Sequence, residues 1–270
     1  MNNVISTTVN IYRNLKDYKF VNKLTEEQKQ EIKDKVTSIL PKELDVWVKL
    51  FDGEHITITK KSLNFDVSSY EKVNNISNLL SSKLAMSYSD EFGYLMSDLN
   101  KIGAGISLEC ELCLPALVSI NKIGQVKQNV GNLGYILKEK QGSTNFVLST
   151  TCNLGYSANE ILENFRLTVG KLQDLEIESA KMLDVENHDD LLDKTLRSIA
   201  ILSSAHMIRY DEFNNILSNI RMGLNLGMTD ISIQKVDKLQ SLLENKNIEF
   251  VSPSDMKDLA NKVKQILKGE

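Results

Sequence analysis

Strand and helix patterns are distributed unevenly along this chain, and this asymmetry limits the folds open to it. The longest strand pattern runs from Ile106 to Leu114, where apolar residues alternate with Ser107, Glu109 and Glu111. Strict alternation predicts a strand with one buried face and one polar face. Beyond residue 190 the apolar spacing is helical, and no strand pattern recurs. The sequence therefore predicts an α+β domain followed by a helical one.

Alternation, apolar helical stripes and capping boxes predict the remaining elements. A capping box pairs a Ser or Thr with a Glu or Gln three residues later, and here such pairs begin at Thr25 and Ser157. The predicted strands cover residues 46–50, 56–58, 106–114, 135–138 and 146–150. The predicted helices of the first part cover residues 25–39, 70–86, 119–132 and 157–183.

The polar stretch from Asp184 to Asp190 is the best candidate for a domain boundary. It divides the chain into an α+β domain at residues 1–185 and a small helical domain at residues 186–270. The helices predicted in the second domain cover residues 191–208, 210–222, 230–245 and 254–267.

The composition excludes several classes of protein. The chain has 270 residues, of which 41% are hydrophobic, and can bury a sizeable core. The net charge is -4 and no stretch forms a basic face, which argues against binding to nucleic acid or to an anionic membrane. No apolar run approaches the ~20 residues that cross a bilayer, and the N-terminus lacks a signal-peptide profile. We therefore expect a cytoplasmic protein.

Cys110 and Cys113 form a Cys-x-x-Cys pattern that is typical of redox and zinc sites. They lie in the predicted strand, however, where residues three apart point to opposite faces of a sheet. The chain contains only 3 cysteines, which fits a reducing compartment without a disulfide framework. We predict no metal site.

Several segments follow one another at the spacing of a known family. They are Arg13-Asn14-Leu15, Phe92-Gly93-Tyr94-Leu95, Gly103-Ala104-Gly105-Ile106, Leu114-Pro115-Ala116-Leu117, residues 120–134, and Arg221 to Gly227. Together they resemble the phosphagen (ATP:guanido) kinases, and most closely the bacterial protein-arginine kinases. The resemblance covers most of the chain. It implies an antiparallel β-sheet flanked by helices, an additional helical C-terminal domain, and a homodimer that associates through the helical domain.

The family's nucleotide site is altered in this sequence. In the family, five arginines grip the phosphates of ATP, and the resemblance places their equivalents here at Thr8, Asn10, Thr57, Ser107 and Lys138. Lys138 is thus the only cation among these positions.

The catalytic turn is altered as well. The family's catalytic glutamate, which orients the guanidinium and takes its proton, corresponds to Gly53. His55 in the same turn is either a remnant of the nucleotide site or, by preference, an ordinary turn residue. The mobile loop after Lys138 is too short for the family's acidic loop.

The magnitude of these losses decides the functional hypothesis. Phosphoryl transfer requires positioning and positive charge around the phosphates. Each charge-assisted hydrogen bond contributes about 1.5–3 kcal/mol, so four losses remove on the order of 6 kcal/mol, or roughly four orders of magnitude in affinity or rate. Glu109 and Glu111, on the same strand face as Ser107, would also repel ATP.

Two hypotheses remain. The first is a catalytically inactive kinase homologue (a pseudokinase) that needs no cofactor and acts as a binding or regulatory module. For this module the resemblance implies protein partners in the bacterial stress response, in the arginine-phosphorylation and Clp protease system. The second is an active Mg-ATP-dependent guanidino kinase whose phosphate site uses other cations. The candidates are Lys60, Lys61, Lys101, Lys138 and Lys140.

Overall fold

The computed structural model describes residues 2–140, 143–243 and 252–268. Its centre is a 6-stranded antiparallel sheet with the strand order β2-β3-β1-β6-β8-β7. The strands are β1 (Val4–Arg13), β2 (Trp47–Asp52), β3 (Glu54–Leu63), β4 (Tyr88–Ser89), β5 (Gly93–Tyr94), β6 (Ile106–Cys113), β7 (Tyr135–Glu139) and β8 (Asn145–Thr150). The short strands β4 and β5 form a separate hairpin. The predicted antiparallel α+β fold is confirmed.

Eight α-helices surround and extend the sheet in the described residues. They are α1 (Glu26–Ile39), α2 (Ser69–Ser81), α3 (Pro115–Ser119), α4 (Ile123–Asn132), α5 (Ala158–Ser204), α6 (Tyr210–Asn225), α7 (Ile233–Ser241) and α8 (Pro253–Lys268). Both predicted capping boxes are present, at Thr25 and Ser157. None of these helices has an apolar stretch long enough to cross a membrane.

The apolar face of the sheet is covered by helices α1, α2, α4 and the first half of α5. Central residues such as Ile11, Ile58 and Leu108 are fully buried there, and Phe165 of α5 packs against the same cluster. Because strand residues alternate between faces, the residues that lie between these apolar ones along each strand point to the other side of the sheet. The sheet therefore presents one dry face to helices and one polar face, whose end at Cys113 and Asn145 packs against α6.

A second hydrophobic cluster lies among the helices of the C-terminal part. It joins Leu202 at the end of α5 to Phe213 of α6, Val236 of α7 and Val263 of α8. Helix α5 belongs to both clusters and has non-helical backbone angles at Asn187, within the polar stretch proposed as a boundary. The division into domains at residue 185 stays a prediction.

Several element boundaries differ from the sequence prediction. The helix predicted to end at Leu183 continues to Ser204, because the polar stretch after it is compatible with a solvated helix that kinks. The predicted 70–86 helix ends at Ser81. The helix predicted over residues 119–132 begins at Ile123 instead, because Asn121, in a left-handed conformation with φ 55°, separates it from the short helix α3 that ends at Ser119. Helix α7 begins at Ile233 rather than residue 230, and the predicted end at residue 245 lies outside the described residues.

Candidate functional site

The polar face of the central sheet contains most of the positions at which the sequence suggested a vestigial nucleotide site. Strand register brings them together, because directly paired residues of antiparallel strands point to the same face. Asn10 pairs with Thr59 of β3 on one side and with Ser107 of β6 on the other. Thr8 pairs with Lys61 and Glu109 in the same way.

A chain of neutral hydrogen bonds links the centre of this face. The Thr59 hydroxyl donates to Asn10 Oδ1 at 2.7 Å, and Asn10 Nδ2 donates to Ser107 Oγ at 3.2 Å. Ser107 Oγ lies 2.9 Å from the Tyr12 hydroxyl. Burial is the main cause that raises the pKa of Tyr12, so this hydroxyl stays protonated and uncharged at neutral pH. Asn10 and Ser107, which the sequence resemblance equates with two of the arginines, thus hydrogen-bond to their neighbours and supply no positive charge.

Two of the candidate lysines near this face are partly neutralised. Lys101 Nζ lies 4.1 Å from the centroid of the Tyr12 ring and 3.6 Å from a carboxylate oxygen of Asp98. Lys140 Nζ lies 2.7 Å from Glu111 Oε1. A cation that is already stacked on an aromatic ring or paired with a carboxylate has less attraction left for a phosphate.

The remaining lysines are spread over the sheet. Lys60 forms an ion pair with Asp45 and points away from the polar face, since it alternates with Lys61. Lys61 lies on the polar face, opposite Thr8. Lys138 is exposed on β7, the strand at the far edge of the sheet from β2. The structure therefore does not bring Lys138 into contact with the cluster around Asn10.

The turn that precedes β3 contains Gly53, which the sequence resemblance equates with the family's catalytic glutamate. Gly53 is exposed there with φ +80°, a left-handed conformation that favours glycine. The neighbouring Glu54 is fully buried. Its carboxylate accepts hydrogen bonds from the Asn14 side chain at 2.6 Å and from the Ser97 backbone N–H at 3.0 Å. Glu54 thus holds the turn in place, and its oxygens are already occupied.

His55 is also structural. The Leu15 backbone N–H donates to His55 Nδ1 at 3.0 Å, and His55 Nε2 lies 2.7 Å from the Lys19 carbonyl oxygen. The first contact requires an unprotonated Nδ1, so the proton resides on Nε2. Burial is the largest cause that lowers the pKa of His55 and keeps the ring neutral. Both nitrogens bind the backbone that covers this end of the sheet.

Arg13 and Arg221, which the sequence shares with the family pattern, lie away from the polar face. Arg221 is fully buried in α6, donates to Asp237 Oδ1 at 2.7 Å, and donates to the Asn2 carbonyl oxygen at 2.6 Å. Arg13 is buried at the end of β1 and donates to the Tyr12 carbonyl oxygen at 2.7 Å. Arg221 therefore connects the helical part to the start of β1.

Sequence reasoning missed several residues of this arrangement. Tyr12 and Thr59 lie two positions from Asn10 and Thr57, and strand alternation alone could have placed them on the same face. Thr57 itself is buried, and its hydroxyl has no hydrogen-bond partner among the described residues. Cys113 continues the row of Ser107, Glu109 and Glu111 along β6, yet it is buried because Ser218 of α6 covers it, with Sγ and Oγ 3.5 Å apart.

No group of three or more potential metal-ligating side chains occurs in the described residues. The two cysteines of the Cys-x-x-Cys pattern are both unpaired and buried. Burial raises the pKa of Cys110 to about 12, so its thiol is not a thiolate ligand at neutral pH.

Comparisons with known proteins place these observations in a family. Residues 6–179 match the model of the ATP:guanido phosphotransferase C-terminal catalytic domain. Residues 188–259 match the model of the C-terminal domain of the protein-arginine kinase McsB.

Curated relatives and solved structures agree with these matches. A protein-arginine kinase of Clostridium perfringens is 28% identical over 87% of this chain and 85% of its own length. One from Chlamydia pneumoniae is 27% identical over 84% of this chain and 77% of its own.

Among solved structures, the duplicated taurocyamine kinase of Schistosoma mansoni has a TM-score of 0.59 at 16% identity, over 79% of this chain and 43% of that one. Lombricine kinase has a TM-score of 0.55 at 13% identity, over 64% of this chain and 66% of that one. Such distant likenesses concern the fold alone. The matched family models, however, span most of the sequence, and the chain belongs to the ATP:guanido phosphotransferase family, with a C-terminal part like that of the protein-arginine kinases.

Proposed function

We propose that this protein is a catalytically inactive member of its family, a pseudokinase that has kept the kinase fold as a binding or regulatory module. The observation that carries the proposal is the neutral hydrogen-bonded chain from Thr59 through Asn10 to Ser107, because the resemblance equates Asn10 and Ser107 with phosphate-binding arginines of the family. Electrostatic stabilisation is the main contribution of a protein to phosphoryl transfer. A neutral face supplies little of it.

Negative charge on the same face adds to this argument. Glu109 is exposed beside Thr8, in a position where its carboxylate would face a bound triphosphate. Glu111 is two residues further along β6 and is paired with Lys140, so this pair has little net charge. The position of the catalytic base is occupied by Gly53, which has no side chain to accept a proton. On this proposal the protein lacks both the cations that bind the phosphates of ATP and the carboxylate that accepts the proton of the guanidinium.

The alternative is an active protein-arginine kinase with a remodelled phosphate site that binds Mg-ATP. Lys61 favours it, because this lysine lies on the polar face directly across from Thr8. Lys101 is near the same face but already contacts Tyr12 and Asp98. We favour the inactive protein because these two lysines replace the charge of four arginines incompletely.

The decisive experiment is isothermal titration of the purified protein with Mg-ATP at millimolar concentration, together with a phosphotransfer assay on arginine and on an arginine-containing protein. We expect no saturable binding and no transfer. Saturable binding with transfer would overturn the proposal and establish the remodelled kinase.

A restored variant tests the reason for the loss. The double variant Thr8→Arg/Ser107→Arg returns two arginines to the proposed positions. The matched control Gln30→Arg/Ser38→Arg adds the same charge at exposed positions of α1, which packs on the opposite, apolar face of the sheet. We expect at least a roughly tenfold gain in Mg-ATP affinity for the first variant over the control. Equal gains would mean that charge alone, and not the vestigial site, determines binding.

The partners of the module are proposed from the family alone. Relatives that match most of the chain are protein-arginine kinases, which suggests a partner in the arginine-phosphorylation and Clp protease system. A homodimer through the helical part and a cytoplasmic location are proposed on the same basis. Analytical ultracentrifugation of the purified protein, alone and with a purified Clp ATPase, tests both the dimer and this partner. A protein that sediments as a monomer and does not bind the ATPase would refute both proposals.

A further inference from the structure

A cavity of about 400 Å³ lies at the end of the sheet, on the side of α2 and away from the polar face. Its walls come from α2, from the β4–β5 hairpin and from the first turn of α5. Tyr70, Phe92, Tyr94 and Tyr156 line it together with the guanidinium-bearing Arg13. The volume is within the range of small-molecule sites, about 300–1,000 Å³.

The main chain that forms this cavity is tightly constrained. A Cβ at Gly93 would lie 2.6 Å from the Gly103 carbonyl oxygen, and a Cβ at Gly103 would lie 2.5 Å from the Asn153 carbonyl oxygen. Both glycines have positive φ, at +77° and +112°. The backbone of the wall is therefore packed to a distance that only glycine permits, and the hairpin and the loop before α5 are held together as one surface.

Arg13 provides the cavity with a buried positive charge that lacks a counter-ion. The residue is only 3% exposed, and among the described residues no carboxylate lies within ion-pair distance of it. Its guanidinium stacks on Tyr94 with Cζ 3.5 Å from the ring centroid, and Nη1 donates to the carbonyl oxygens of Tyr12 and Gly105. Its buried Nε has no hydrogen-bond partner.

The N-terminus of α5 adds a second favourable group for an anion. Ser157 and Ala158 line the cavity, and the partial positive charge of a helix start lies on the N–H groups of this first turn. The Ser157 hydroxyl accepts from the Glu160 N–H at 3.3 Å, whereas no acceptor for the Ala158 N–H occurs in the described part of the chain. The cavity is thus lined by two separate sources of positive potential, the Arg13 guanidinium and the first turn of α5.

Acidic groups nearby limit the charge of a ligand. Glu91 lines the cavity and is exposed, and the Glu160 carboxylate caps Ser157 at 2.8 Å. A dianion such as a phosphate monoester would meet repulsion from both. One uncompensated guanidinium favours one negative charge, and the aromatic walls favour a flat apolar body.

We propose that this cavity binds a small monoanionic carboxylate with an aromatic or flat apolar body, whose carboxylate contacts Arg13 and the first turn of α5 and whose body packs between Tyr70 and Tyr156. The cavity is separate from the polar face of the central sheet, and the proposal holds whether or not the protein retains kinase activity. It gives the chain a small-molecule effector.

The test is a protein-observed NMR titration with sodium benzoate as the probe, and with phenyl phosphate and benzylamine as comparisons. We expect saturable benzoate shifts at cavity residues, with a dissociation constant in the millimolar range, and weaker binding of the other two compounds. No saturable benzoate binding would overturn the proposal, as would tighter binding of benzylamine or of phenyl phosphate.

Variants locate the site. Arg13→Gln should weaken benzoate binding about 10- to 100-fold, because it removes a charge-assisted contact. Since Arg13 is buried and its loss can unfold the protein, Tyr156→Ala provides a second measure. Tyr156 is 52% exposed, and its removal should weaken binding about two- to tenfold. Phe20→Ala, an exposed aromatic residue outside the cavity, should leave binding unchanged. Benzoate affinity that survives Tyr156→Ala would refute the site.

Discussion

The buried carboxylate of Glu176 should make the stability of this protein fall as the pH rises towards neutrality. Glu176 is fully buried in α5 and accepts hydrogen bonds from the backbone N–H groups of Ala116 at 2.7 Å and Leu117 at 2.9 Å. Burial is the largest cause that raises its pKa from 4.5 to about 7, and the two hydrogen bonds lower it only in part. The folded state therefore holds a proton that the unfolded state has released.

The sign and size of this pH dependence follow from the linkage between proton binding and folding. Because the folded pKa is raised, the stabilising contribution is complete below pH 4.5 and is lost as the pH rises through about 7. One pKa unit corresponds to about 1.4 kcal/mol, so the contribution lost between about pH 5 and about pH 8 is on the order of 2–3 kcal/mol. Glu176→Gln cannot ionise and should lack this slope.

The assay is urea unfolding of wild type and Glu176→Gln across this pH range. At low pH the wild type should be more stable by about 1–2 kcal/mol, because the hydroxyl oxygen of the protonated acid can still accept from the second N–H group, whereas the NH2 group of glutamine cannot. This advantage should disappear or reverse at high pH. Glu178→Gln, an exposed change on the same helix, is the matched control and should show no such dependence. A stability difference between wild type and Glu176→Gln that stays constant with pH would refute the reasoning.

Three further predictions concern stability. Arg221→Met should cost about 3–5 kcal/mol in urea unfolding, because it leaves Asp237 buried without its partner, and the double variant with Asp237→Leu should recover part of that loss. Gly103→Ala, at φ +112°, should lower the free energy of unfolding by at least about 2 kcal/mol, whereas Gly124→Ala in open space on α4 should raise it by about 0.5–1 kcal/mol; equal effects would contradict the steric argument. Burial lowers the pKa of His55 from 6.5, so the contribution of its neutral ring to the free energy of unfolding should be lost as the pH falls below 6.5. In urea unfolding, His55→Gln should therefore lose less stability than the wild type between neutral and acid pH.

Much of the fold could be predicted from local patterns. The capping boxes at Thr25 and Ser157 fixed two helix starts, because they are satisfied within four residues of chain. Helix ends were harder. The long helix passes through a polar stretch that resembles a linker in composition, and only its packing against both hydrophobic clusters keeps it helical beyond Asn187.

The candidate site was predictable only in part. Pairing along β1 could be inferred for Asn10 and Ser107 from the family pattern, and strand alternation explains their shared face. The aromatic cavity around Arg13 depends on segments that are distant in sequence, and nothing in the local pattern of α2 or of the β4–β5 hairpin indicates that they meet. The same limit applies to Glu176, which resembled an ordinary charged position on an amphipathic helix.

The contact between Arg221 and the Asn2 carbonyl oxygen has a consequence for synthesis. Residues 2 and 221 are joined across a sequence separation of 219, and Asn225 binds Asn3 across 222. β1 lies between β3 and β6 near the middle of the sheet and is made long before α6, so Asn2 and Asn3 gain these two contacts only after the six sheet strands have been synthesised. Long-range closures of this kind slow folding. Nascent chains that have not yet reached α6 therefore lack both of these contacts at the residues that precede β1.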